Sequence, residues 1–170
     1  MKKILVVIAI LALNAHLTMA AVPVDERVKK CSLGQDFLKQ HKYQEARTAL
    51  EACLQKGPAN AMAHFYLGDA CQGLKAWACA EAHYETSLEL DAHSSVASLV
   101  KQRGRKAKVW RLLDEGKQAI SEPNAPPQQI SQAEDTLEIA SKLGLDEEQR
   151  AVYQQLHEKI RYRHTLNHEK

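Results

Sequence analysis

Aromatic side chains are scarce in this sequence: Phe, Trp and Tyr together make up 5% of its 170 residues. Alanine, leucine, lysine, glutamate and glutamine are abundant instead, and these residue types favour helices. The composition therefore predicts an all-α protein with little or no sheet.

Motifs of known catalytic sites are also missing. The sequence contains no G-x-S-x-G, no H-E-x-x-H, no phosphate loop and no glycine-rich dinucleotide turn. Its cysteines form neither C-x-x-C nor the C-x-x-C-H pattern of haem attachment, which argues against dithiol catalysis and cytochromes. We expect no enzymatic activity and no cofactor. The alternative, an enzyme with thiol chemistry, requires a Cys71–Cys79 bond that is accessible and reducible.

The histidines show no metal-binding spacing. The last two, His164 and His168, are separated by four residues but lack a clear third ligand. We therefore expect no metal site and interpret the histidines as solvated or helix-packing side chains. Beyond the N-terminal segment they are His41, His64, His83, His93, His157, His164 and His168.

The chain has no apolar run long enough for a membrane-spanning helix. The longest candidate, Ile4 to Leu13, has ten residues, about half of the ~20 that a span requires. It follows two lysines and precedes the small residues Ala20 and Ala21, which is the order found in secretory signal peptides. We predict a signal peptide over residues 1–20 and export to the periplasm or beyond, in a bacterium. An uncleaved membrane anchor is the alternative.

Export has consequences for the cysteines and for the charge. Four cysteines in an oxidising compartment are expected to pair. Loss of Lys2 and Lys3 reduces the 23 basic residues to 21, which equals the number of acidic residues, so net charge indicates no partner class. About 150 mature residues suit one domain with its own core.

An internal repeat with a period of 34 residues organises the middle of the chain. Leu33-Gly34 recurs as Leu67-Gly68, Ala46 recurs as Ala80, and Leu50 is matched by Tyr84. This pattern resembles the tetratricopeptide repeat family, whose unit is a helix-turn-helix of that length. The resemblance implies repeats over residues 27–60 and 61–94, stacked as a short right-handed α-solenoid. Leu33, Phe37, Leu50, Leu67 and Tyr84 are then expected to surround close glycine–alanine contacts.

The period weakens after residue 94. Ser94 and Ser95 are candidate caps of a long helix, and a proline-rich loop separates it from a helix starting near Pro127. We predict a degenerate third repeat over residues 95–144 and a capping helix over residues 146–165, begun by Asp146. That last helix has a single apolar stripe, formed by Val152, Leu156 and Ile160.

The helix-turn-helix unit also predicts the disulfide pairing. The midpoint of Cys31 and Cys53 is residue 42 and that of Cys71 and Cys79 is residue 75, so each pair brackets the turn of its own repeat. We predict bonds 31–53 and 71–79, each joining the two helices of one hairpin. Similar staples occur in the related Sel1-like repeat proteins, whose longer period is absent here.

The family resemblance also implies a partner groove, which tetratricopeptide arrays form from the first helix of each repeat. Phe65 beside Met62 is expected to be an exposed hydrophobic anchor in it. The family's lysine and asparagine clamp for a C-terminal carboxylate is not reproduced, because Cys31 and Gln35 occupy its first-repeat positions. The groove candidates are Val28, Gln35, Leu38, Lys39, Met62, Phe65, Asp69 and Gln72.

One segment, KQRGRKAKVWR, carries basic charge without an acid. It is a candidate surface for an acidic partner, anionic lipid or another envelope polyanion. Nucleic acid is not expected, given export and the lone Trp110. The alternative is a solvated helix balanced by the later acidic residues, and the evenly spaced Glu81, Glu85 and Glu89 are likewise interpreted as solvated. The basic residues are Lys101, Arg103, Arg105, Lys106, Lys108 and Arg111.

Two functional hypotheses follow. The leading one is a periplasmic or envelope adaptor that binds a segment of another protein for assembly or scaffolding. The second is a secreted or envelope-docking factor that binds anionic lipid or glycan through residues 101–111. The sequence contains no pattern that decides the oligomeric state.

Overall fold

The computed structural model describes residues 24–55, 60–122 and 124–168, and the predicted signal peptide lies outside these ranges. Within them the chain forms helices and no strand, which confirms the predicted all-α class. The helices are α1 (Val24–Lys39), α2 (Tyr43–Leu54), α3 (Ala61–Gly73), α4 (Trp77–Leu90), α5 (Ala97–Ala119), α6 (Pro127–Lys142) and α7 (Glu147–His168).

The helices pack in chain order. Each helix contacts the next one along the chain, and in addition α1 contacts α3 and α5 contacts α7. Antiparallel hairpins that stack on the following hairpin are the architecture of a helical solenoid. The predicted solenoid is therefore present in the described part of the chain.

The first two hairpins turn in the same way. His41 and Lys75 occur 34 residues apart, and each has a φ of 56°, in the left-handed region. The residue after each of them donates its N–H back to the helix that has just ended: Lys42 to Phe37 O and Ala76 to Cys71 O, both at 2.9 Å. This bond pattern satisfies carbonyl groups at the end of the first helix and reverses the chain.

Glycine makes the predicted close approach between the helices of a hairpin. A Cβ atom at Gly34 would lie 2.5 Å from Cγ of Leu50, and one at Gly68 would lie 2.6 Å from Cε1 of Tyr84. The same relation occurs in the third hairpin, where a Cβ at Gly116 would lie 3.0 Å from Cδ2 of Leu137. The large residue of the second helix thus fills the space that a side chain would otherwise need.

The core consists of two clusters. One joins α2 to α5, and the other joins α5, α6 and α7. Leu33 was expected in the core, but this prediction is wrong because 46% of its surface is exposed. It lies with Phe37 on the outer side of the first hairpin, where no described helix covers it. The largest buried members of the clusters are Leu50, Leu67, Tyr84, Leu113, Ile120, Ile130, Leu137 and Ile160.

Helix ends agree with the sequence signals except at α5. Pro127 occupies the first turn of α6, and Asp146 caps α7 by accepting the N–H of Gln149 at 2.9 Å. Gln149 Oε1 accepts the N–H of Asp146 in return, which forms a capping box. The predicted serine cap of α5 is wrong: Val96 is its N-cap and makes no side-chain bond, because a turn over residues 92–96 precedes the helix.

Both predicted disulfides are present. Cys31 is bonded to Cys53 between α1 and α2, with the Cα atoms 5.2 Å apart. Cys71 is bonded to Cys79 between α3 and α4, with a Cα separation of 5.8 Å. Each of the first two hairpins is therefore closed by one covalent link.

Candidate functional site

A polar cavity of about 310 Å³ lies where α1, α3 and α5 meet, and we call it the cleft. Leu38 comes from the end of α1, Asp69 and Gln72 from α3, and Arg103 from α5. His41, from the turn between α1 and α2, and Tyr43, the first residue of α2, close one side. The odd-numbered helices thus supply most of a concave site with one apolar and several polar groups.

Asp69 is the centre of a hydrogen-bond network beside the cleft. It accepts a bond of 2.7 Å from the Tyr84 hydroxyl and forms an ion pair with Arg103. The same hydroxyl lies 3.1 Å from Oε1 of Gln72. Burial raises the pKa of Tyr84 far above its usual value, and the Asp69 carboxylate raises it further. The phenol is therefore neutral and remains a donor at physiological pH.

Arg103 is held in place from two sides. Its guanidinium carbon lies 5.1 Å from the centre of the Phe65 ring, at the distance of a cation–π contact. Burial lowers the pKa of Arg103, but the hydrogen bond and charge of Asp69 outweigh it and the net pKa is raised. Arg103 is therefore a permanent, oriented cation at the cleft.

The remaining groups define what the cleft can contact. Nδ1 of His41 lies 2.9 Å from the hydroxyl oxygen of Tyr43, and both residues are at the surface edge of the cavity. Leu38 is half-buried and supplies apolar area. A ligand in this cleft meets hydrogen-bonding groups on several sides and one apolar side chain, which suits the backbone and mixed side chains of a protein segment.

The structure brings together three of the predicted groove residues, namely Leu38, Asp69 and Gln72, all of which line the cleft. Lys39 is exposed and pairs with Asp36 at 3.1 Å. Gln35 and Met62 are half-buried but are not part of the cavity lining, and the side chain of Val28 lies outside the described residues.

Phe65 is not the exposed anchor that the sequence predicted. Only 4% of its surface is exposed, and its ring packs against Tyr66 and Tyr84 with centroid distances of 5.3 and 6.2 Å. Arg103 covers the ring from α5. Phe65 therefore belongs to the core that supports the cleft.

The basic segment is largely neutralised within the chain. Lys106 pairs with Asp146 at 2.9 Å, and Glu81 accepts contacts from Lys108 at 3.6 Å and Arg111 at 2.6 Å. Arg103 pairs with Asp69, as described above. Among the described residues, Lys101 and Arg105 form no ion pair.

Glu81 was expected to be solvated with Glu85 and Glu89, and for Glu81 this is wrong. Its surface is 8% exposed because α5 packs over α4 and places Arg111 against it. The hydrogen bond to Glu81 is the main cause of the raised pKa of Arg111. The acids that balance the basic segment thus come mainly from the preceding hairpin, α3–α4, with Asp146 contributing from the later acidic region.

Two histidines converge between α3 and α4. Nδ1 of His64 lies 3.1 Å from Nδ1 of His83, and burial lowers the pKa of both rings. The Cys71–Cys79 disulfide lies beside His83, and the sulfur atoms and a ring nitrogen of His83 are all within 4.8 Å of one another. The cluster forms no contiguous motif in the sequence, because its members come from two helices.

Comparison with known proteins finds one family model that matches part of the chain. Residues 31–95 match the model of the tetratricopeptide repeat. This match runs from within α1 to beyond the end of α4, includes all four cysteines, and agrees with the resemblance seen in the 34-residue period. No protein of curated function and no solved structure has a significant match to the chain.

Proposed function

Because residues 31–95 are a tetratricopeptide repeat region, we propose that this protein is an exported adaptor that holds a segment of another protein in the cleft. Tetratricopeptide repeats generally mediate protein–protein interaction and are typically not enzymatic. The proposed role is assembly or scaffolding, in which no bond of the partner is made or broken.

The observation that carries this proposal is the convergence of Leu38, Gln72 and Arg103 on one cavity. These side chains come from three successive odd-numbered helices, the helices whose side chains form the groove in this family. A segment lying across them contacts all three at once. An extended or helical partner bound in the cleft therefore contacts several stacked helices along one surface.

The cleft is organised before any partner binds. Arg103 is fixed by Asp69 and the Phe65 ring, and Asp69 is itself fixed by Tyr84. Groups that are already ordered lose little conformational freedom on binding, so more of the contact energy appears as affinity. The Asp69–Arg103 network therefore presents an ordered cation to a segment bound in the cleft.

The disulfides support export. Both cysteine pairs are bonded, as expected in an oxidising compartment. No helix among the described residues has the length and apolar character needed to cross a bilayer. We propose that residues 1–20 direct the chain to the periplasm or the medium.

The test is capture of a partner from envelope extract by the purified chain and by a Leu38→Glu, Gln72→Arg variant. Both side chains are half-buried at the cleft. Because Leu38 also packs against the core and Gln72 lies 3.1 Å from the Tyr84 hydroxyl, the thermal unfolding midpoint of the variant is measured beside its binding. Leu90→Glu is the matched control, because Leu90 is 42% exposed at the end of α4. The proposal requires a protein captured by the native chain and by the control but lost with the cleft variant.

The alternative, docking on anionic lipid or glycan through residues 101–111, has less support. Four of its six cations face acids of the same chain, and Lys101 and Arg105 form no ion pair within the described ranges. Salt separates the two functions, since screening weakens binding through exposed charges most strongly. Binding that collapses with ionic strength and with Lys101→Gln, Arg105→Gln would favour the alternative.

A further inference from the structure

The seam between α3 and α4 carries a cluster of metal-binding atoms that the adaptor function does not use. Cys71 and His64 lie on α3, and Cys79 and His83 lie on α4. The two sulfur atoms and a nitrogen of His83 are mutually within 4.8 Å. We propose that this hairpin binds a Zn²⁺ ion through Cys71, Cys79 and His83 when its disulfide is reduced.

The donor atoms fit zinc in kind and in spacing. Thiolate sulfur and imidazole nitrogen are the ligands that zinc prefers, at distances of about 2.3 and 2.0–2.1 Å. A tetrahedral ion with these bond lengths places its donor atoms about 3.3–3.8 Å apart. The observed separations, all under 4.8 Å, need only side-chain rotation once the two sulfur atoms are free to move apart. The Cα atoms of the cysteines, 5.8 Å apart, hold both thiolates on the same side of the seam.

His64 supplies a second and independent indication. Its Nδ1 lies 3.1 Å from Nδ1 of His83, so one ring donates a hydrogen bond to the other. A ligating histidine commonly makes such a bond with the nitrogen that does not face the metal, and the bond fixes the orientation of the ring. With Nδ1 of His83 occupied by His64, Nε2 is the nitrogen left for the ion. Three protein ligands leave a fourth position for water.

Reduction must come first, and its chemistry balances with two equivalents of a thiol. A thiolate attacks Sγ of Cys79, which is more exposed than the fully buried Cys71, and Cys71 leaves as a thiolate. A second thiolate attacks the external sulfur of the mixed disulfide and releases Cys79, so two electrons pass from the two thiols to the protein. The by-product is the disulfide of the reductant. Zn²⁺ then binds the two thiolates and displaces any protons they carry, without changing its own oxidation state.

The consequence is a hairpin that is cross-linked in both redox states. The covalent bond joins α3 to α4 under oxidising conditions, and the ion joins the same residues under reducing conditions. In the first hairpin a metal ion is not expected to replace the disulfide. Among the described residues, no histidine forms a cluster of this kind with Cys31 and Cys53. The two disulfides therefore differ in what replaces them after reduction.

The probe is Co²⁺, which substitutes for zinc and gives a thiolate-to-metal absorption band and intense visible bands at a tetrahedral site. The full chain is titrated with Co²⁺ before and after treatment with a phosphine reductant, and Zn²⁺ is then added in competition. We expect no thiolate band in the oxidised chain, one equivalent of bound Co²⁺ in the reduced chain, and displacement by Zn²⁺. Absence of the band in the reduced, folded chain would overturn the proposal.

Variants assign the ligands. The double variant Cys31→Ser, Cys53→Ser is expected to keep the thiolate band. The band is expected to be lost in the double variant Cys71→Ser, Cys79→Ser and also in the single variant His83→Ala. His64→Ala should weaken zinc binding about 10–100-fold, the range typical of a lost partner behind a ligand. His157→Ala, at another half-buried histidine, is the matched control and should have no effect. A band that survives Cys71→Ser, Cys79→Ser would refute the assignment.

Loss of structure on reduction is also informative. If the circular dichroism of the reduced chain shows lost helix, one equivalent of Zn²⁺ is expected to restore it, because metal binding and folding are coupled. Restoration must fail in His83→Ala. Helix that stays lost after zinc is added to the native reduced chain would count against the site as firmly as a missing band.

Discussion

Arg103 of α5 forms an ion pair with Asp69 of α3, and the two residues line the same cleft. This contact joins the basic segment to the predicted partner groove, two features that are separate in the sequence. It also ties the second hairpin to the third at the point where a partner segment is proposed to bind. The cleft therefore depends on the stacking of α5 as well as on the two repeats themselves.

The hydroxyl of Tyr84 supports Asp69, so its removal should weaken this network. Tyr84→Phe is expected to lower the free energy of unfolding by about 1.5–3 kcal/mol, the usual cost of losing a hydrogen bond to a charged group. Chemical denaturation measures this directly. Tyr162→Phe is the matched control, since Tyr162 is 65% exposed and its loss should change stability little. Equal values for the two variants would show that the Asp69 bond contributes nothing.

Two glycines on either side of the Tyr84 side chain should respond differently to alanine. At Gly68 a Cβ meets the buried ring at 2.6 Å, so Gly68→Ala is expected to cost about 1–3 kcal/mol of stability. At Gly104 the nearest atom is Tyr84 Cβ at 3.3 Å, a contact that a small shift relieves. There the helix-favouring effect of alanine, about 0.5–1 kcal/mol, should leave stability within about 0.5 kcal/mol of the native value. Thermal unfolding of both variants checks the difference, and a reversed order would contradict the observed packing.

The two disulfides close loops of different length, with sequence separations of 22 and 8 residues. Chain entropy predicts that loss of the bond closing the longer loop costs about 3.4 kcal/mol and loss of the bond closing the shorter one about 2.5 kcal/mol. We therefore expect Cys31→Ser, Cys53→Ser to reduce stability somewhat more than Cys71→Ser, Cys79→Ser, measured by denaturation without reductant. A variant that unfolds at the native midpoint would show that its disulfide does not stabilise the fold.

Stability should depend on pH through His64 and His83. Burial lowers the pKa of both rings below the unfolded value of 6.5, so the unfolded chain takes up protons first as the pH falls. The contribution of the two neutral rings to the free energy of unfolding should therefore be complete above the unfolded pKa. It should be lost as the pH falls from about 6.5 toward the lower pKa values of the folded chain.

The matched variant is His64→Gln, His83→Gln, which removes both titrating rings. Its stability should change less than that of the native chain between about pH 7 and pH 5. Burial raises the pKa of Asp146, but the hydrogen bonds from the Gln149 backbone and from Lys106 outweigh it, so the net pKa is lowered and Asp146 contributes to pH dependence only in a more acidic range. A native chain that gains stability as the pH falls through this window would contradict the assignment.

Much of the fold could be predicted from the sequence because its determinants are local and periodic. Gly34, Gly68 and their partners Leu50 and Tyr84 recur at 34 residues, and the structure places each glycine against its partner. The disulfide pairing followed from the same period, since antiparallel helices bring residues equidistant from the turn to one level. These relations hold within a hairpin and need no knowledge of how hairpins stack.

The errors about burial concern contacts between hairpins. Phe65 occupies a position on the groove side of α3, but Arg103 covers it from α5, where the repeat pattern is too weak to align. Glu81 is buried for the same reason, because Arg111 reaches it from α5. For Leu33 the prediction is wrong in the opposite direction. Leu33 is the apolar residue that the repeat pattern expects, but it lies where no described helix covers it. Burial at these positions is decided by the neighbouring hairpin rather than by the residue's own helix.

The most direct test of partner binding in the cleft is photo-crosslinking from a single position. A photoreactive residue replaces Gln72, which lines the cleft, or Glu89, which is exposed on α4, and the chain is irradiated in envelope extract. Binding in the cleft predicts one protein crosslinked from position 72, absent from position 89, and lost when Leu38→Glu is added to the position-72 chain. The same products from both positions, or a position-72 product that persists with Leu38→Glu, would contradict binding in the cleft.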